Sequence, residues 1–106
     1  MTSIKTIQCE DVPALLAQHD TLILDCRDLG DYRNGHMDGA MHSHDDLVEG
    51  LIRRGDKSRT MLIYCYSDHR SEHLTEFFTG FGFGSVYNLA GGYNRWQQQG
   101  QESGHG

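Results

Sequence analysis

Met61-Leu62-Ile63-Tyr64-Cys65-Tyr66-Ser67-Asp68-His69-Arg70-Ser71-Glu72-His73-Leu74 is the stretch that decides how this chain folds. It opens as an unbroken apolar run, the pattern of a parallel strand covered on both faces. It closes into a helical period. Leu74, Phe77, Phe78 and Phe81 fall at i, i+3, i+4 and i+7 and predict one inward face. Between strand and helix lies a short polar loop that begins with Cys65 and ends with Arg70. The first N–H groups of a helix lack intrahelical partners, and its dipole favours negative charge there. A sulfur in such a loop, near Arg70, is expected to be a thiolate. A drop of two pKa units from ~8.5 takes roughly 2.7 kcal/mol, which a helix start and one guanidinium can supply.

Working outward, Ile4 to Ile7 alternates and predicts a short strand. Glu10 to Gln18 predicts a helix with Val12, Leu15 and Leu16 inward and Pro13 in its first turn. Thr21 to Cys26 is a second fully apolar strand ending in Asp25 and Cys26, and therefore also central. Arg27 to Asn34 predicts a helical turn, and Ala40 to His42 a brief edge strand. Asp45 or Asp46 is placed to cap a helix carrying Leu47, Val48, Leu51 and Ile52, with Gly55 past its end. Gly80 and Gly82 end the helix after the loop. Ser85 to Leu89 is the last strand, and Gly91-Gly92 leads into a short helix through Trp96. Alternating strands and helices predict an α/β domain: a mostly parallel sheet of about five strands with helices on both faces. Its boundaries are set at residues 1–100, with a flexible tail over 101–106. In such sheets sites gather at the carboxyl ends of strands. Cys65, Asp25 and Cys26 all lie at such ends.

The 106 residues suit one core. A net charge of -6 without a basic stripe argues against nucleic acid. No apolar stretch approaches the ~20 residues of a membrane span, and the N-terminus lacks the apolar core of a signal peptide. Three cysteines without paired spacing argue against a disulfide framework, and a reducing cytoplasm is the expected compartment. There is no Cys-x-x-Cys, and His42-Ser43-His44-Asp45-Asp46 has no second cluster at ligand spacing. No metal or cofactor is therefore expected, and that segment is assigned to a solvated turn and helix start.

Four segments together resemble the rhodanese family, specifically its single-domain bacterial thiosulfate sulfurtransferases. Leu22-Ile23-Leu24-Asp25-Cys26-Arg27 is similar to the family's strand ending in Asp-Val-Arg, and Gly35-His36-Met37-Asp38-Gly39-Ala40 to its Gly-His-Ile-x-Gly-Ala motif. Tyr64-Cys65 through Arg70-Ser71 is similar to its active-site loop. Ala90-Gly91-Gly92-Tyr93-Asn94-Arg95-Trp96 is similar to its terminal Gly-Gly-x-x-x-Trp motif. The likeness runs from about Ile4 to Gly100. It implies a rhodanese-like domain and a persulfide mechanism. Cys65 takes sulfur from thiosulfate or a protein persulfide and passes it to cyanide, a thiol or a sulfur-carrier protein.

The residues agree with that chemistry. It needs a thiolate, N–H donors for a terminal sulfur anion and a cation for the donor. Cys65 is the candidate nucleophile. Tyr66, Ser67, Asp68, His69, Arg70 and Ser71 are the candidate substrate-binding set. Four residues separate Cys65 from Arg70. The related phosphatases and arsenate reductases have five, a wider loop for a tetrahedral oxyanion. A carrier that stores sulfur with little turnover is the other alternative. Asp68 stands where many family members have glycine. Its carboxylate is expected to oppose a dianionic donor and to raise the Cys65 pKa, with His69, if protonated, offsetting it. Cys26 stands where the family usually has a hydrophobic residue. It is either a small buried core residue or a second thiol near the pocket, placed to resolve the persulfide. Cys9 is assigned to a helix start or the surface. Asp25 with Arg27, and His36, are assigned structural roles. Tyr93, Trp96, Phe77, Phe78 and Phe81 are assigned to core and cap.

Overall fold

In chain order the elements are β1 (Lys5–Ile7), a 3-10 turn (Cys9–Asp11), α1 (Val12–Gln18), β2 (Thr21–Asp25), α2 (Leu29–Asn34) and β3 (Met41–His42). There follow α3 (Asp45–Arg54), β4 (Thr60–Tyr64), α4 (His69–Gly80), β5 (Val86–Leu89) and α5 (Gly92–Gln98). The computed structural model describes residues 4–99. The tail expected over 101–106 lies outside them.

The strands form one sheet of order β1-β5-β4-β2-β3, parallel at every pairing. β4 is central because all five of its residues are buried. Its side chains alternate between two cores, as the period of a strand requires. Leu62 and Tyr64 join Ile23, Leu89, Val12, Tyr93 and Trp96 on one face. Met61 and Ile63 join Leu22, Leu24, Val86 and Phe78 on the other, where Leu47, Val48, Leu51 and Ile52 of α3 also pack. Helices thus cover both faces, and all five carboxyl ends share one edge.

Four local expectations need correction. Leu16 is exposed, and Val12 is the α1 residue that is fully buried. The α3 cap is His44, not Asp45 or Asp46. His44 has extended backbone, and its Nδ1 accepts from Leu47 N at 3.3 Å. The two aspartates occupy the first turn, where the dipole favours them. Cys9 begins the 3-10 turn but is completely buried, so it is a core residue. Finally, Phe77 and Phe81 are each 46% exposed, whereas Phe78 is 0%. The buried face of α4 is Ser71, Thr75 and Phe78. Its start is polar because Ser71 serves the site and Thr75 Oγ1 donates to the Ser71 carbonyl at 2.7 Å. Apolar periodicity therefore pointed to a stripe rotated away from the face that packs. Phe77 and Phe81 meet each other edge-on at 5.0 Å.

Phe78→Ala is expected to lower stability by about 3–5 kcal/mol, and Phe77→Ala by no more than about 1 kcal/mol. Urea unfolding of the two variants checks the assignment, and equal losses would contradict it.

Candidate active site

Cys65 follows the last residue of β4, at the carboxyl edge of the sheet, and is 2% exposed. The chain turns through Tyr66–Asp68 and enters α4 at His69. The Ser71 N–H, in the first turn of that helix, donates to Cys65 Sγ at 3.3 Å. It is one of the donors a helix start leaves unmatched. Ser71 Oγ also lies 3.3 Å from the sulfur. The hydroxyl has one proton and two further acceptors, Asn88 Oδ1 and the Asp68 carbonyl at 3.1 Å.

The turn before α5 locks the loop from the other side. The Tyr93 N–H donates to the Cys65 carbonyl at 2.8 Å, and the Asn94 N–H to the Tyr66 carbonyl at 3.1 Å. Gly92, at φ +59, comes so close that a Cβ would stand 2.4 Å from the Ser67 carbonyl oxygen and 2.5 Å from that of Cys65. Only glycine allows this approach. Asp68 supports the same contact: its Oδ1 accepts from the Gly91 N–H at 3.0 Å and from Asn88 Nδ2 at 3.3 Å. Asp68 is not among the groups that set the acidity of Cys65. Its carboxylate braces the α5 turn instead.

The sulfur is strongly acidified. Cys65 is pulled down to about 5, first by a hydrogen bond from the Cys26 thiol, opposed by burial, and then by Ser71 and the Ser67 N–H. The Cys26 thiol is pushed far up by the same partner, by burial and by Asp25. Cys26 is half-buried, so it is the second thiol at the pocket rather than a sealed core residue.

The loop's cation is already engaged. Arg70 Nη1 donates to Asp28 Oδ1 at 3.0 Å and lies over the Tyr66 ring, 5.5 Å from its centre. The Arg70 guanidinium holds the Asp28 carboxyl below its ordinary range. The Tyr66 hydroxyl donates to Asp31. Tyr66, Ser67, Asp68, His69 and Arg70 are partly or fully exposed, whereas Ser71 is buried. His69 meets His73 edge-on at 4.9 Å. Beside them opens a groove of about 610 Å³ lined by Cys26, Val48, His69, Arg70, His73 and Leu74, among others. Beneath the loop, buried Asp25 and Arg27 pair at 2.7 Å. His36 Nδ1 donates to the Tyr32 carbonyl at 2.8 Å, and the imidazole stacks on the Tyr32 ring. Among the described residues no group of three or more His, Cys, Asp or Glu is placed to hold a metal ion. No helix among them is long and apolar enough to cross a membrane.

The model of the rhodanese-like domain matches residues 8–99. The chain belongs to the rhodanese-like family. It is 33% identical to a thiosulfate sulfurtransferase GlpE of Pseudomonas entomophila, over 92% of this chain and 88% of that one. It is 28% identical to one of Shewanella oneidensis, over 92% of this chain and 97% of that one. In structure it is similar to the rhodanese-like domain of the Alr3790 protein of Anabaena, with a TM-score of 0.83 at 26% identity, over 97% of this chain and 80% of that one.

Within this rhodanese-like site, three side chains escaped sequence reasoning. Asn88 had a signal: it is a polar residue in an otherwise apolar strand, and it is fully buried against Ser71. Asp28 and Asp31 had none, because nothing local separates them from other surface acids.

The acidity of Cys65 has a direct readout. Its alkylation rate by iodoacetamide should be flat from pH 9 down to about pH 6 and then fall about tenfold per pH unit below about 5. An ordinary thiol loses rate below ~8.5, and that profile would contradict the assignment.

Proposed function

We propose that the protein is a sulfurtransferase that carries sulfane sulfur on Cys65. The observation that carries this reading is the acidified Cys65 sulfur, set at a strand end against the unmatched Ser71 N–H of a helix start. Relatives named thiosulfate sulfurtransferase, about 30% identical over most of both chains, support it.

The thiolate attacks the outer sulfur of thiosulfate, and the S–S bond breaks with its electron pair leaving on sulfite. Cys65 then bears a persulfide whose terminal sulfur holds the negative charge. The N–H groups along Ser67–Ser71 are the donors for that charge. An acceptor thiolate next takes the terminal sulfur and returns Cys65 as thiolate. Cyanide serves the same role in an assay. A protein persulfide is an equivalent donor, and a sulfur-carrier protein an equivalent acceptor. No metal or cofactor takes part in either step. The Arg70–Asp28 pair favours donors of low charge, because a dianion must compete with Asp28 for the guanidinium.

Intact mass after incubation with thiosulfate, or with a low-molecular-weight persulfide, tests the reading. The native protein should gain one sulfur atom and Cys65→Ser none. A native protein that gains none from either donor, while its Cys65 still alkylates, would overturn it. A second variant tests the cation. Asp28→Asn releases Arg70 from an exposed, weakly held partner, so kcat/KM for thiosulfate should rise by up to about fivefold. An unchanged or lower value would remove Arg70 from donor binding.

A further inference from the structure

We propose that Cys26 resolves the Cys65 persulfide internally, releasing hydrosulfide and leaving a Cys26–Cys65 disulfide. This rests on the sulfurtransferase reading and adds a second fate for the bound sulfur.

The placement follows from register. Asp25 of β2 and Tyr64 of β4 are partners in a parallel ladder. Cys26 and Cys65 are the next residue on each strand, so they leave the sheet side by side. The Cys26 N–H donates to the Tyr64 carbonyl at 2.9 Å, which extends the ladder to this position. Neighbouring strands run ~4.8 Å apart, within the ~4.4–6.8 Å between Cα atoms that a disulfide spans. The thiol already makes a contact at this edge: the Cys26 S–H donates to the Tyr64 carbonyl at 3.2 Å. Both cysteines are free thiols.

The directions of approach suit displacement. Ser67 and Ser71 reach Cys65 from the loop and α4, on the side that would stabilise a terminal sulfur. Cys26 reaches it from the neighbouring strand. The Cys26 sulfur attacks the Cys65 sulfur, a new S–S bond forms, and the bond to the terminal sulfur breaks. The terminal sulfur leaves with the electron pair and takes the Cys26 proton, as hydrosulfide. The sulfane sulfur is reduced, and the two cysteines are oxidised to the disulfide. No outside oxidant is needed.

Once sulfur is bound, the negative charge that holds the Cys26 thiol in its protonated form has moved from the Cys65 sulfur to the terminal one. Cys26 therefore becomes the better nucleophile when the persulfide exists. The groove gives access for the return step, because Cys26 lines it and Cys65 does not. A small dithiol entering there reduces the disulfide at the Cys26 sulfur and restores both thiols.

The test compares the native protein with Cys26→Ser and Cys26→Ala, each loaded without air and then freed of donor. Loading is carried to completion, because loss of the Cys26 hydrogen bond weakens Cys65 as a nucleophile. Protein mass and hydrosulfide are followed with time, beside a native sample that received no donor. The native protein should release one hydrosulfide per chain and become two hydrogens lighter than its reduced form, with the Cys26 and Cys65 peptides cross-linked. The unloaded sample should keep both thiols, and both variants should keep the added sulfur. A native protein that holds its sulfur as long as the variants, with no cross-link, would overturn the inference and leave the sulfurtransferase reading standing. Absence of added sulfur on all three proteins would overturn both.

Discussion

The carboxyl edge of the sheet is held together by one buried ion pair. Asp25 is fully buried and Arg27 is 6% exposed, and they meet through several hydrogen bonds. Two charges leave water only if their remaining hydrogen-bonding capacity is met. Here it is met by parts of the chain that must come together. Arg27 also donates to the Gly35 carbonyl at 2.6 Å and lies 4.0 Å over the Tyr93 ring. Tyr64 donates to Asp25 and accepts from the Met37 N–H at 3.0 Å. The end of β2, the end of α2, the last residue of β4 and the start of α5 are thereby tied to one point. The loop that carries Cys65 is built on top of it.

That foundation explains how a nearly buried sulfur can be acidic. Burial alone raises a thiol pKa, because the charged form loses water. The loop reverses the sign with fixed donors: a helix-start N–H, a hydroxyl and a neighbouring thiol. Each needs a separate support to stay aimed. Asn88 and Asp68 hold Ser71 and the Gly91 turn, and the Gly92 contact stops the loop from relaxing outward. Asp68 thus has a purpose unrelated to its charge at the donor site. The exposed acids act differently. Asp28 and Asp31 occupy Arg70 and Tyr66, the two largest side chains on the rim.

The parts of this arrangement legible in the sequence were those written in consecutive residues. The apolar run of β4, the polar loop and the Gly-Gly turn each stated their own geometry, and Gly92 fits the loop closely because it has no side chain. The misread residues share a cause. Phe77 and Phe81 looked inward by period, yet the packing face of α4 is the one that carries Ser71 and Thr75. Cys9 looked peripheral because it starts a short turn, and is buried because that turn lies over the sheet. Asp68 looked like a charge beside a thiolate, since sequence adjacency says nothing about where a carboxylate finds donors.

The amino-acid sequence by itself determined the alternation of strands and helices, the centrality of β2 and β4, and the position of Cys65 at a strand end before a helix. Those follow from local patterning, where side-chain period and backbone preference act over a few residues. Only the tertiary structure decided which groups surround the sulfur. Cys26 lies 39 positions before Cys65 and Asn88 lies 23 after it. The parallel register of β2 and the pairing of β5 beside β4 bring both to the same edge. Hydrogen bonds and ion pairs act over a few ångströms of space rather than along the chain. The acidity of Cys65 and the engagement of Arg70 were therefore settled by strand order and helix placement.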